Sequence, residues 1–218
     1  MRYSWNNGSA TIHPFVCYYR EKEELSHVCY IIISDSTQHD TVAVHLFQKK
    51  LITFLTKRRD GRKPQKIFYV SDGCAAQYKN RKNFLNLCCH EADFGVHAEW
   101  HFFATSHGKS AGDGAGGTLK RLATNMPTMT TFCQHKIYTN FALNNIKGMD
   151  FEFVESKEHD LEAKELEQRL ARSRTVPGTQ TLHCFIPTSA HTVEVKLFSS
   201  STESRRERVD VGSAAVCP

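Results

Sequence analysis

The sequence predicts an α/β protein in which helices cover a mixed β-sheet. Three observations lead there. Up to about residue 125, strand-like and helix-like patterns alternate as strand, strand, helix, strand, helix, strand, helix. Two apolar runs, KIFYV (66–70) and AEWHFFAT (98–105), each lead into a polar turn and then a helix start. A chain of 218 residues, 40% hydrophobic and 23% charged, is long enough and apolar enough to bury a real core.

Residues 9–20 (SATIHPFVCYYR) and 26–34 (SHVCYIIIS) are rich in β-branched and aromatic residues. They read as two strands joined by a short charged connection, a hairpin. Residues 40–57 repeat Val42, Leu46, Leu51, Phe54 and Leu55 near helical spacing, with Asp40 placed to cap the helix. RRDGRKPQK (58–66) is a basic Gly/Pro loop. KIFYV reads as a strand buried on both faces. NRKNFLNLCCHE (80–91) reads as a helix, and GDGAGGTLKRLAT (112–124) turns helical by Thr118.

Beyond 125 the pattern changes. Residues 128–143 and 161–173 read as helices, and 181–187 and 192–198 as strands. The expected organisation is a core over 1–125, an α+β extension over 126–198, and a polar, mobile tail over 199–218.

Net charge is +5, a mild basic bias compatible with nucleic acid. No apolar run approaches the ~20 residues of a membrane span. The start, MRYSWNNGSATIHPF, lacks the layout of a secretory signal, so a nuclear or cytoplasmic, intracellular location is expected. The 8 Cys form no CxxC pair and read as buried free thiols.

Two acids stand out, Asp72 in YVSDG and Asp113 in GDG. Each follows a strand and precedes a helix, where open α/β sheets place ligands. Two such carboxylates could hold divalent metal for phosphodiester chemistry, since magnesium takes one or two carboxylates together with phosphate oxygens. The alternative is that Asp72 is a turn acid and Asp113 a helix cap. Lys79, Arg81 and Lys82 follow Asp72, while Lys109, Lys120 and Arg121 flank Asp113. They are candidate phosphate contacts or simply a solvated basic face. His107 is placed to touch a phosphate or assist proton transfer.

Other motifs are weaker. Gly108-Lys109-Ser110 ends like a P-loop, but Phe103 occupies its first glycine position. Gly112, Gly114 and Gly117 match GxGxxG without the acid a dinucleotide site needs, so no nucleotide cofactor is expected. His90, His97, His101 and His107 with Cys88 and Cys89 are a rival zinc set, at spacings unlike a standard finger.

YVSDGCAAQYKNRKNFLNLC (69–88) and EWHFFATSHGKSAGDGAGGTLKR (99–121) resemble the catalytic core of transposase-derived proteins with a ribonuclease H-like fold. So do WNNGSATIHPFVCYYREKEELSHVCYIIISD (5–35), HDTVAVHLFQKKLI (39–52) and SRTVPGTQTLHCFIP (173–187). The resemblance implies a ribonuclease H-like mixed sheet and metal-dependent DNA strand cleavage and transfer. It implies DNA as partner, Mg²⁺ or Mn²⁺ as cofactor, and possible self-association. Asp72 and Asp113 match the second and third acids of the family's DDE/DDD-type set. The strand carrying the first acid has no counterpart before Trp5, and neither Asp35 nor Asp40 takes its place. The expectation is therefore an amino-terminally truncated, inactive domain, or alternatively a domesticated remnant that binds DNA or protein without catalysis.

Overall fold

The computed structural model describes residues 2–5, 8–21, 23–103 and 146–212, with side chains from residue 10 onward. The described residues form two β-sheets flanked by three helices, a mixed α/β architecture. The chain divides into two compact units, Met1–Gln38 with Lys109–Asp160, and His39–Gly108 with Leu161–Pro218.

The first unit is built on β1 (Arg2–Trp5), β2 (Gly8–Glu21), β3 (Glu24–Ser34) and β6 (Met149–Val154). The first three strands form an antiparallel meander, and β6 adds parallel to β3. The predicted hairpin is present, closing at the Glu21–Glu24 pair. Flanked on both sides, β3 is buried on both faces from Tyr30 onward. Ile31 and Ile33 pack with Ile12 and Phe151. Tyr30 and Ile32 lie on the opposite face by strand alternation, and the Tyr30 hydroxyl donates to the Glu152 carboxylate. Burial, and then that carboxylate, push the Tyr30 pKa up.

The third helix, α3, runs over Ser156–Ala171 and starts five residues before the predicted 161. Two carboxylates explain the early start. The Asp35 Oδ1 accepts the Ser156 N–H at 2.5 Å, and Glu158 accepts the Glu155 N–H at 3.2 Å. Both satisfy amide donors that a helix start leaves open.

The second unit holds β4 (Lys66–Ser71), β5 (His97–Phe102), β7 (Cys184–Ser189), β8 (Thr192–Lys196) and β9 (Arg205–Arg208), in that order across one sheet. The β4–β5 pair is parallel and the rest antiparallel. Helix α1 (Thr41–Arg58) precedes β4, and α2 (Arg81–Phe94) connects β4 to β5. Asp40 caps α1 as predicted, accepting the Ala43 N–H at 2.9 Å. Gly95 ends α2 at φ 69°, a left-handed position suited to glycine. Phe84 of α2 is fully buried, stacked on Phe185 with ring centroids 4.1 Å apart. Val42, Leu166 and Leu170 join α1 to α3.

Three expectations need correcting. KIFYV is not buried on both faces: Tyr69 packs toward α2, but Phe68 and Val70 are 60% and 56% exposed. Among the described residues β4 is the last strand on its side of the sheet, so its apolar content misleads. The tail from 199 is not uniformly mobile. Arg205–Arg208 pairs with β8, and Val209 beyond it is fully buried, its N–H bonded to the His191 carbonyl at 2.9 Å. The thiols are mixed: Cys88, Cys89 and Cys184 are buried, whereas Cys74 is exposed. Burial, with Cys29 nearby, pushes the Cys17 thiol up to about 11. The predicted helices over 112–124 and 128–143 lie outside the described residues.

Candidate nucleic-acid interface

The end of β4 sets the local geometry. Asp72 follows Ser71 at the carboxyl end of the strand and is exposed. Its Oδ1 accepts the Cys74 N–H at 3.0 Å, a side-chain turn of the kind Asp favours. The Cys74 carbonyl then accepts from Tyr78 at 2.8 Å and Lys79 at 3.1 Å, winding the chain through one tight turn. Asn80 closes that turn and opens α2. Its Oδ1 accepts the Lys82 and Asn83 N–H groups, each at 3.0 Å, and its Nδ2 donates to the Ala75 carbonyl at 2.9 Å.

The first turns of α1 and α2 meet here. The Thr41 hydroxyl donates to Asn80 Oδ1 at 3.1 Å. A shallow cleft of about 260 Å³ lies between the two starts, with Thr41, Asn80, Arg81, Lys82 and Leu170 in its wall. Amide N–H groups at a helix start carry partial positive charge and favour phosphate oxygens. Arg81 and Lys82 are exposed and add two full charges. The Asp40 carboxylate lies in the same wall and offsets part of this field.

The predicted site residues fare unequally. Asp72, Arg81 and Lys82 share this end of the second unit. Lys79 is tied into the fold instead of facing solvent freely. Its Nζ donates to the Gln180 carbonyl at 2.9 Å and lies 5.2 Å from the centre of the Phe102 ring. Burial lowers its pKa. Asp113, His107, Lys109, Lys120 and Arg121 lie outside the described residues. In the basic loop, Lys63 donates to the Phe94 carbonyl at 2.7 Å and Lys66 pairs with Glu99, so neither is simply solvated.

Asp72 offers one hard oxygen donor, which suits a single ligand position of Mg²⁺ or Mn²⁺. Among the described residues, no group of three or more His, Cys, Asp or Glu side chains could hold a metal. The described members of the zinc set are not gathered. Both His90 nitrogens are engaged, Nε2 with the Tyr69 hydroxyl at 3.0 Å and Nδ1 with the Val96 carbonyl at 2.6 Å. Burial lowers the His90 pKa to about 4. His97 faces Glu91 at 3.0 Å, and His101 faces Ser199 at 2.7 Å.

Sequence reasoning missed a buried ionic cluster around His45. Its members are spread over three helices, and no spacing in the chain signals it. Glu162 and Arg169 lie in the stretch 161–173 that reads simply as a helix.

Fold and site together define a mixed α/β protein with a basic cleft at two helix starts and an exposed acid beside it. The chain belongs to the family described as Domain of unknown function (DUF8701), whose model matches residues 1–199. No curated protein and no solved structure matches it. No described helix is long and apolar enough to cross a membrane.

Proposed function

We propose that this chain is a transposase-like domain of ribonuclease H-like ancestry that binds the DNA phosphate backbone through the β4–α2 turn. Asp72 is proposed as one of the carboxylates that would hold Mg²⁺ or Mn²⁺ for the ancestral reaction, strand cleavage and transfer. The observation that carries the reading is the placement of exposed Asp72 at the carboxyl end of a parallel strand, just before a helix start bearing Arg81 and Lys82. The finer fold assignment draws on element order alone: an antiparallel meander, then α1 and the parallel β4–α2–β5 unit, although the meander and that unit lie in separate sheets where a ribonuclease H-like fold has one, and Arg2–Trp5 carries no acid in the first-strand place. In this proposal the exposed Arg81 and Lys82, aided by the positive ends of α1 and α2, orient the phosphate. Asp72 would supply one oxygen ligand to the cation, whose charge would offset that of the phosphodiester.

A second reading is non-catalytic DNA binding. Among the described residues, Asp72 has no metal-ligating cluster around it, and Lys79 is engaged by the fold. Two measurements separate the readings. The first is anisotropy titration of duplex DNA across about 50–200 mM salt, where each phosphate contact contributes close to one unit of slope. Arg81→Ala and Lys82→Ala should each flatten the slope by ~1. Unchanged slopes in both variants reject the interface. The second is a Mn²⁺-dependent nicking assay. Cleavage lost in Asp72→Ala with DNA binding retained supports the metal role. Cleavage that survives Asp72→Ala rejects it, and chelator-insensitive binding without cleavage selects the second reading.

A further inference from the structure

Within the second unit, α1, α2 and α3 meet around one imidazole. His45 on α1 is 6% exposed. Its Nδ1 lies 2.6 Å from Glu162 Oε1 on α3, and its Nε2 lies 3.0 Å from Asp93 Oδ2 on α2. Arg169 of α3 grips Asp93 through two bonds of 2.6 and 2.7 Å. Lys49 of α1 reaches Glu162 at 3.1 Å and Glu165 at 3.8 Å. The remaining titratable neighbour on α2 is His90, whose burial lowers its pKa.

A neutral imidazole carries one N–H and one lone pair. Here a carboxylate oxygen faces each ring nitrogen. Only the imidazolium can donate to both. The neutral ring would set a lone pair against one of the two carboxylates, an unfavourable contact for a ring that is itself buried. Burial by itself would lower the His45 pKa, but the bonds to Asp93 and Glu162 outweigh it and raise the value. Burial would raise Asp93, yet the bonds from His45 and Arg169 hold it at about 2.

We propose that His45 is a protonation lock: as imidazolium it ties the Glu162–Arg169 stretch of α3 to α1 and α2, and loss of the ring proton frees that stretch. The lock is a pH-sensitive joint in the fold. Leu170, one residue beyond Arg169, also forms part of the cleft wall. The lock therefore bears on the shape of the cleft, and that consequence alone rests on the nucleic-acid reading.

The test is amide hydrogen exchange on the full chain, corrected for intrinsic rates, as pH is raised from about 6 until the His45 ring proton shift shows the imidazole neutral. Amides of 162–171 should lose protection about tenfold for each unit by which bound His45 exceeds free histidine. Amides of β3, in the other unit, serve as reference and should stay level. His45→Gln should remove the pH dependence. Should that variant fail to fold, Glu162→Gln leaves one carboxylate on the ring and should lower the midpoint, also read from the His45 ring proton shift. Flat protection of 162–171 across the range, or an unchanged midpoint in Glu162→Gln, overturns the lock. Since no DNA is present, failure here leaves the DNA-binding tests intact, and their failure leaves the lock intact.

Discussion

Asn80 is the residue whose replacement best separates the architecture of the cleft from its charge. Its Oδ1 accepts from Lys82 N, Asn83 N and the Thr41 hydroxyl, and its Nδ2 donates to Ala75. Asn80→Ala removes the cap of α2, worth about 1 kcal/mol. It also removes two half-exposed hydrogen bonds, worth about 0.5 kcal/mol each at the low end of their range. The expected loss is therefore about 2 kcal/mol. Asn80→Asp keeps every acceptor and loses the bond to Ala75. It gains a charge that a helix start favours by about 0.3–1 kcal/mol at best, so stability should stay within about 0.5 kcal/mol of the parent. Urea unfolding followed by circular dichroism reads both, with the midpoint shifting and the slope m constant. DNA binding should respond the other way round, because the Asp variant sets a negative charge beside Arg81 and Lys82. An Ala variant as stable as the parent, or an Asp variant as unstable as Ala, refutes the capping geometry. An Asp variant that binds DNA as the parent does refutes the phosphate-facing cleft.

Two further outcomes follow from the packing and the buried ions. Phe84→Ala should cost about 3–5 kcal/mol, because a fully buried ring stacked on Phe185 leaves a cavity the sheet cannot collapse into; urea unfolding measures it, and a loss below about 1 kcal/mol would contradict the stacking. Asp93 and Glu162 have depressed carboxyl pKa values in the folded state, Asp93 at about 2. Their stabilisation is complete above the unfolded carboxylate range and is lost as pH falls through the folded values, so acid unfolding should steepen between about pH 4.5 and 2. Asp93→Asn should flatten that limb, and an unchanged acid profile would sink the assignment.

Much of the frame was legible because local signals agreed with the final packing. The β2–β3 hairpin announces itself in β-branched and aromatic runs, and Asp40 and the Asp72 turn use chemistry that is local by nature. What failed depended on distant partners. The start of α3 relies on Asp35, 121 residues upstream of Ser156. KIFYV reads as buried because it is apolar, but hydrophobicity alone does not place a strand within a sheet. The polar RRER segment becomes a strand by pairing with β8 and by the burial of the adjacent Val209, which composition cannot foretell. Nothing local in the sequence singles out His45. Its meaning came only from Asp93 and Glu162, each on a different helix.

Asp40 exposes a tension in the cleft that can be tested directly. Its carboxylate caps α1 by accepting the Ala43 N–H, yet it sits in the wall where a phosphate would bind. Asn caps a helix about as well as Asp, so Asp40→Asn should leave urea stability within about 0.5 kcal/mol of the parent. It removes one negative charge from the cleft. In a water-filled site at moderate salt, that charge is worth on the order of 0.5 kcal/mol, about a twofold tightening of DNA binding. The gain should shrink at high salt, as any screened effect does. Weaker binding after Asp40→Asn would mean that the carboxylate contacts the ligand or a cation itself. Asp40, rather than Arg81 and Lys82 alone, would then have to be counted among the groups that recognise the backbone.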